Sequence, residues 1–282
     1  MSALDFTAMM REEKKIAKAK LKNASRAGVE GEIEGGQISS EGAVEEGIEK
    51  KKITDTDTGK IEGNETIVNS IPPIALPTAP PLSPPSPAPA GLDYYADFID
   101  EETEMAIASY ARSHQNWNTL KHAKRRVLEI AKGDVDWGGC DGSYIETLCN
   151  VLISMGVFPS KLPPNHLLIN EYTGCQGILP HTDGPMYNST TATLSLESST
   201  IFYFKKRLRS DEIGVVNDEV IGGKVLLKPR SLVVFAGDWY EKYLHGIDEE
   251  QEEECGLDVL GAEEGESVVR GHRISLTLRH KY

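Results

Sequence analysis

The chain of 282 residues contains no apolar run long enough to cross a membrane, so an α-helical membrane protein and a membrane partner are not expected. Residues Met1 to Lys20 carry no apolar h-region ahead of a cleavage site, which argues against secretion. The four cysteines, at 140, 149, 175 and 255, form no CxxC pair, so neither a disulfide framework nor a zinc knuckle is expected. A reduced setting, cytoplasmic or nuclear, fits them. Basic residues are also short, 30 against 44 acidic ones, for a formal net charge of −14. At face value that deficit excludes a polyanionic partner.

The deficit is unevenly placed. Residues 1–29 carry seven bases and three acids (net +4), and residues 30–90 carry four bases and eleven acids (net −7). Residues 248–266 carry ten acids and no base, leaving the remaining chain at net −1. Net charge therefore says little about any site in the folded body.

The chain reads as two parts, an extension over 1–90 and a domain over 91–282. Residues 8–26, rich in Ala, Lys and Glu, suit a solvent-exposed basic helix. Residues 28–70 hold no sustained hydrophobic period and read as disordered. Residues 71–90 hold nine of the fifteen prolines and read as a semi-rigid polyproline linker, with a PxxP ligand for a protein partner as the alternative.

In the domain, an acidic first turn followed by Met105, Ile107, Ala108 and Ala111 predicts a helix over about 101–112. Apolar positions 145, 148, 152 and 155 predict a second helix ending near Gly156. After Pro163-Pro164 come short β-type runs at 166–172, 191–196, 200–204, 224–228, 231–236, 240–245 and 273–280. The fold class is mainly β with flanking helices, a sandwich or jelly roll. The acidic block at 248–266 is expected as a surface insertion that does not pack, either a mobile flap or a docking site for a protein partner.

His181, Asp183 and His245 are candidate metal ligands. In extended backbone His181 and Asp183 share a face, and Gly184-Pro185 then turns the chain away. Two His and one carboxylate form the facial triad of non-haem Fe(II) oxygenases. Taken alone, an HxD pair reads first as a surface turn with a turn-stabilising Asp; the C-terminal strand shifts that reading. Alternation in 273–279 places Arg273, Ser275, Thr277 and Arg279 on one face and Ile274, Leu276 and Leu278 on the other. Arginines facing inward on a central strand need anions, and a dicarboxylate such as 2-oxoglutarate supplies them; on an edge strand they would meet water. Asn170 and Tyr172 share a face of another strand and could donate to a bound keto acid, or sit at a strand end turned outward.

The order Asn170-x-Tyr172, His181-x-Asp183, His245, Arg273-x5-Arg279 resembles the AlkB family of Fe(II)/2-oxoglutarate-dependent dioxygenases. Leu162-Pro163-Pro164-Asn165-His166, Leu179 to Pro185, Tyr243 to Ile247 and Arg270-Gly271-His272-Arg273 resemble its AlkB homologue six subfamily, over about 92–282. The resemblance implies a double-stranded β-helix. It implies Fe(II) on His181, Asp183 and His245, and 2-oxoglutarate held by Asn170, Tyr172 and Arg273 with Ser275 assisting. Arg279 would line the site beside the metal-bound Asp. O2 is the third reactant, and the chemistry is hydroxylation of a C–H bond, which on an N-methyl group releases formaldehyde. An alkylated base would have to be flipped into the pocket.

Three readings of function follow. The first is oxidative demethylation of DNA or RNA, with Lys205-Lys206-Arg207-Leu208-Arg209 contacting single-stranded or tRNA-like nucleic acid. The second is the same chemistry on a protein side chain or small molecule. The third is a weakly active nucleic-acid- or protein-binding module. Trp137 and Tyr187 could stack a base or belong to the core. The expected localisation is cytoplasm and nucleus.

Overall fold

Alternation along the C-terminal segment organises the architecture. A computed structural model describes residues 74–85, 88–120, 125–134, 137, 143–207 and 221–282. The expected basic arm at 8–26, the tract at 28–70, Leu208, Arg209, and the segment 138–142 lie outside the described residues. In chain order the elements are β1 (Leu92–Tyr95), α1 (Glu101–Ser113), β2 (Asn118–Thr119), β3 (Arg126–Ala131), α2 (Ser143–Ser154), β4 (His166–Thr173), β5 (Ile178–His181), β6 (Tyr187–Leu196) and β7 (Thr200–Lys206). There follow β8 (Ile221–Leu227), β9 (Leu232–Ala236), α3 (Asp238–Glu241), β10 (Tyr243–Ile247), β11 (Glu252–Glu254), β12 (Val259–Leu260), β13 (Ser267–Val269) and β14 (His272–Lys281).

Two larger sheets form, a seven-stranded one ordered β1-β9-β6-β14-β4-β3-β2 and a five-stranded one ordered β12-β8-β7-β10-β5. β14 is therefore central, antiparallel to both β4 and β6, and its arginines cannot reach water as they would on an edge. One face of the major sheet packs on the helices: Ile274, Leu276 and Leu278 join Leu167, Ile169, Leu194, Ile107, Ala111, Ile145 and Leu152 in one core. Its other face meets the minor sheet through Tyr172, Phe202, Phe204, Val225, Leu227, Val233 and Phe235. This is the mainly β, double-stranded β-helix fold with flanking helices, and the site lies between the two sheets.

The helices start and stop for local reasons. The Asp100 carboxylate accepts from the Thr103 amide at 2.8 Å and caps α1, whose acidic first turn also suits the positive end of the helix dipole. α2 ends at Ser154, and Gly156 follows with φ +76°, the left-handed conformation that terminates helices at little cost.

Three expectations are corrected. The run 240–245 is not one strand: Gly237 turns at φ +56°, Asp238–Glu241 coil into α3, which buries Trp239 and Tyr240, and the strand begins only at Tyr243. The acidic block does pack. Cys255 and Val259, with Val268, fill a small core against Ile201 and Leu226 on the outer face of the minor sheet. Its acids point outward or meet cations, Asp258 with Lys224 at 3.2 Å and Glu266 with Lys228 at 2.8 Å. The proline-rich stretch also lies against the domain from Ile74 onward, not as a plain linker ending at 90. Ile74 joins the helix-side core, and Leu82 exchanges two 2.8 Å backbone hydrogen bonds with Tyr94. The Pro89 carbonyl accepts from Trp239 Nε1 at 2.9 Å. Prolines lack amide donors but keep their carbonyls, and the amide used here belongs to a leucine.

Candidate active site

β5 and β10 pair antiparallel with His181 opposite His245, so their rings meet with centroids 4.4 Å apart. Asp183, two residues past His181, brings its Oδ1 to 3.8 Å from His245 Nε2. One ligand atom from each of the three residues lies within 4.8 Å of the others, a spacing that fits a single ion. The loop beyond is fixed by Gly184, at φ +93°, whose carbonyl accepts from the Tyr240 hydroxyl at 2.8 Å.

The donor set is prepared for a cation. His181 Nδ1 lies 2.9 Å from the Leu179 carbonyl, which can only accept, so the proton sits on Nδ1 and Nε2 offers its lone pair. His245 is 6% exposed and ringed by Phe202 and Phe235, and burial, reinforced by His181, pulls its pKa down to about 3. It is thus neutral and able to ligate at any ordinary pH. Burial pushes the Asp183 carboxyl up, but Arg279 and the two histidines outweigh it and hold the group well below the usual carboxylate range. Both its oxygens are tied: Oδ1 to Arg279 Nη1 at 2.8 Å, Oδ2 to the Thr191 hydroxyl at 2.8 Å.

Arg273 faces the same inter-sheet space. It is 4% exposed, its Nη2 donates to Ser195 Oγ at 2.9 Å, and its guanidinium lies 5.3 Å from the Tyr172 ring centre. Its Nε and Nη1 have no hydrogen-bond partner among the described residues. Burial lowers its pKa from 12.5 to about 10. A buried guanidinium with two unmet donors is a fitted seat for a carboxylate. A recess lined by Tyr172, Thr200, Ile247, Arg270 and Arg273 opens at this end. Register places Ser275 opposite Asn170 and Arg273 opposite Tyr172, so the four share one face.

The expected site residues all face the space between the sheets: His181, Asp183 and His245 at one point, Asn170, Tyr172, Arg273 and Ser275 together on one face of the major sheet, and Arg279 on Asp183. Tyr187 is not free to stack a base on both faces, since Arg279 lies 4.1 Å over its ring. Trp137 belongs to the helix-side core. Residues that sequence reasoning missed are Thr191 and Ser195, and Arg125, which is buried and donates to Asn170 Oδ1 at 3.2 Å. Thr191, Thr193 and Ser195 alternate with Ala192, Leu194 and Leu196, a period-two signal that could have found the first two. Arg125 stands in a basic run that reads as surface, with no signal to single it out.

A family model described as the 2OG-Fe(II) oxygenase superfamily matches residues 108–279. The chain belongs to this superfamily of oxidoreductases and, within it, to the AlkB type, whose chemistry uses Fe(II), 2-oxoglutarate and O2. It is 31% identical over 212 residues to the probable RNA/DNA demethylase ALKBH6 of Danio rerio, covering 68% of this chain and 86% of that protein. It is 26% identical over 205 residues to the tRNA (carboxymethyluridine(34)-5-O)-methyltransferase alkbh8 of Xenopus tropicalis, covering 67% of this chain but 30% of that protein. Among solved structures, OsALKBH1 matches with a TM-score of 0.43 and 14% identity, over 67% of this chain and 98% of that one.

Proposed function

We propose that this chain removes N-linked methyl groups from alkylated bases in DNA or RNA by oxidation. His181, Asp183 and His245 hold Fe(II). Asn170, Tyr172, Arg273 and Ser275 would hold 2-oxoglutarate, with Arg273 offering its unmet donors to a carboxylate, and Arg279 steadies Asp183 and lines the site. The observation that carries this reading is the buried Arg273 guanidinium, with two unmet donors, facing from the major sheet into the inter-sheet space that the triad faces from the minor sheet.

Iron and co-substrate, when bound, supply O2-dependent hydroxylation of a C–H bond with conversion of 2-oxoglutarate to succinate and CO2; an N-methyl group so hydroxylated leaves as formaldehyde. The protein's own contribution is orientation and exclusion of water. Phe202, Phe204 and Phe235 wall the His245 side, and Tyr240 ties down the loop after Asp183. A base must leave its stack to reach ligands this deep, which favours single-stranded or tRNA-like substrates.

Lys205 and Lys206 close β7 and Arg207 follows it, with Lys206 paired to Tyr243, two residues before His245. They are the cationic group we assign to the phosphate backbone. A protein partner would use the proline-rich stretch or the outward acids of 248–266, and the working compartments are cytoplasm and nucleus.

The test is formaldehyde and succinate release, with Fe(II) and 2-oxoglutarate, across methylated DNA, RNA and peptide panels. Formaldehyde from a nucleic acid is the expected result; formaldehyde from peptides alone overturns the substrate class. Reversing Lys205, Lys206 and Arg207 to Glu is expected to weaken nucleic-acid binding. Its salt dependence should flatten as well, the slope falling by roughly one for each phosphate no longer neutralised.

A further inference from the structure

Glu129 and His166 share the inner face of the major sheet with the site, and no role has yet fallen to them. Register puts His166 directly opposite Arg279 on β14 and opposite Ala131 on β3, two residues from Glu129. His166 is 2% exposed. Its Nε2 lies 2.5 Å from Glu129 Oε1, and its Nδ1 lies 3.5 Å from Arg279 Nη2. The ring also sits against Tyr187, centroids 5.1 Å apart, on whose face Arg279 stacks.

The hydrogen-bond roles are forced. A guanidinium only donates, so His166 Nδ1 accepts, and the imidazole proton therefore sits on Nε2, where the Glu129 carboxylate takes it. The result is a directed chain: Glu129 fixes the tautomer of His166, His166 offers a lone pair to Arg279 Nη2, and Arg279 Nη1 holds Asp183 Oδ1 at 2.8 Å. Of the three Arg279 nitrogens, Nη1 has Asp183, Nη2 has His166, and Nε has no partner among the described residues. Without His166 the guanidinium would keep one hydrogen-bond partner, Asp183, beside the Tyr187 ring, and could turn about that ring face, pulling the carboxylate with it.

We infer that Glu129 and His166 are a positioning pair, which holds Arg279 in the one orientation that leaves Asp183 aimed at the metal. The inference rests on Asp183 being a metal ligand, as proposed above. Neither residue belongs to the group of three whose ligand atoms converge for a metal ion.

The experiment is Co(II) binding to the full chain freed of metal, followed by calorimetry and by the visible bands of the bound ion. His166→Leu is expected to weaken Co(II) roughly tenfold and to alter its bands, the scale known for partners outside the ligand shell. His166→Gln, whose carbonyl can accept from Arg279 while its amide donates to Glu129, is expected to restore most of both. Glu129→Leu is expected to weaken binding less, and to add nothing in the His166→Leu background, because the two act in series. Unchanged binding in His166→Leu, equal loss in His166→Gln, or additive losses in the double variant would each overturn the inference. Should His166→Leu fail to fold by circular dichroism, His166→Gln against Glu129→Leu decides in the same way: near-normal binding in the first with weaker binding in the second supports it, the reverse overturns it. Wild-type protein that takes up no Co(II) overturns the ligand assignment itself, and this inference with it.

Discussion

The two faces of β14 do different work. Ile274, Leu276 and Leu278 lie under the helices in a continuous apolar core, while Arg273, Ser275, Thr277 and Arg279 line the inter-sheet space. The outer face contributes apolar burial and asks for nothing else. The inner face carries two buried guanidinium groups, Arg279 held by Asp183 with one donor unmet and Arg273 with two unmet. A buried cation without a full set of acceptors weakens the fold, so the inner face gives up stability to keep a seat for an anion. A single-residue shift of register would exchange the two faces, and long antiparallel pairing on both sides holds that register.

Substitutions should separate the faces. His181→Ala, on the inner side, is expected to lower metal affinity by about 1000-fold or more, a step beyond the loss from disturbing a ligand's neighbour, and to abolish succinate release. Thermal unfolding of the metal-free protein should barely move, and a large drop there would mean His181 is a core residue. Arg273→Met comes next. Losing two charge-assisted hydrogen bonds should raise the KM for 2-oxoglutarate roughly 100-fold, while the melting temperature of the apo protein holds or rises. A fall in stability with an unchanged KM would erase the contrast between the faces.

Leu276→Ala tests the outer face. It should cost about 2–5 kcal/mol in denaturant unfolding, with Co(II) affinity unchanged in the fraction that remains folded. The last test is acid sensitivity. His245 is held down to about 3 in the folded protein against 6.5 ordinarily, so between those values the unfolded chain binds a proton that the folded one refuses. Stability of the metal-free protein is then fully present above about pH 6.5 and declines as pH falls toward 3. Asp183, depressed below 3.8, adds to the loss beneath that value. Melting curves across this range should show the slope, and His245→Asn should flatten its upper part.

The face pattern of 273–279, the HxD pair and its distant histidine were legible because each follows a simple spacing. So were the two helices and most strands. Charge density misled at 248–266, where ten acids conceal the spaced apolar residues Cys255 and Val259 that dock, together with Val268, on the minor sheet. Aromatic content misled at 240–245, where a glycine at positive φ diverts Trp239 and Tyr240 into a helical turn. Arg125, Glu129 and His166 were opaque for a different reason. Their roles depend on which strands become neighbours, and β3 reaches Asn170 and Arg279 only through β4.

The packing of the acidic block bears on self-association. β12 runs parallel to β8, with Val259 beside Lys224 and Leu260 beside Val225, along what would otherwise be a bare rim of the minor sheet. An uncovered rim invites a strand from another molecule. This segment of ten acids and no base therefore also masks that rim, by occupying it and by surrounding it with like-charged carboxylates. Excising 248–266 would both remove the mask and neutralise the repulsion, and the shortened protein should oligomerise through β8 before it loses its fold.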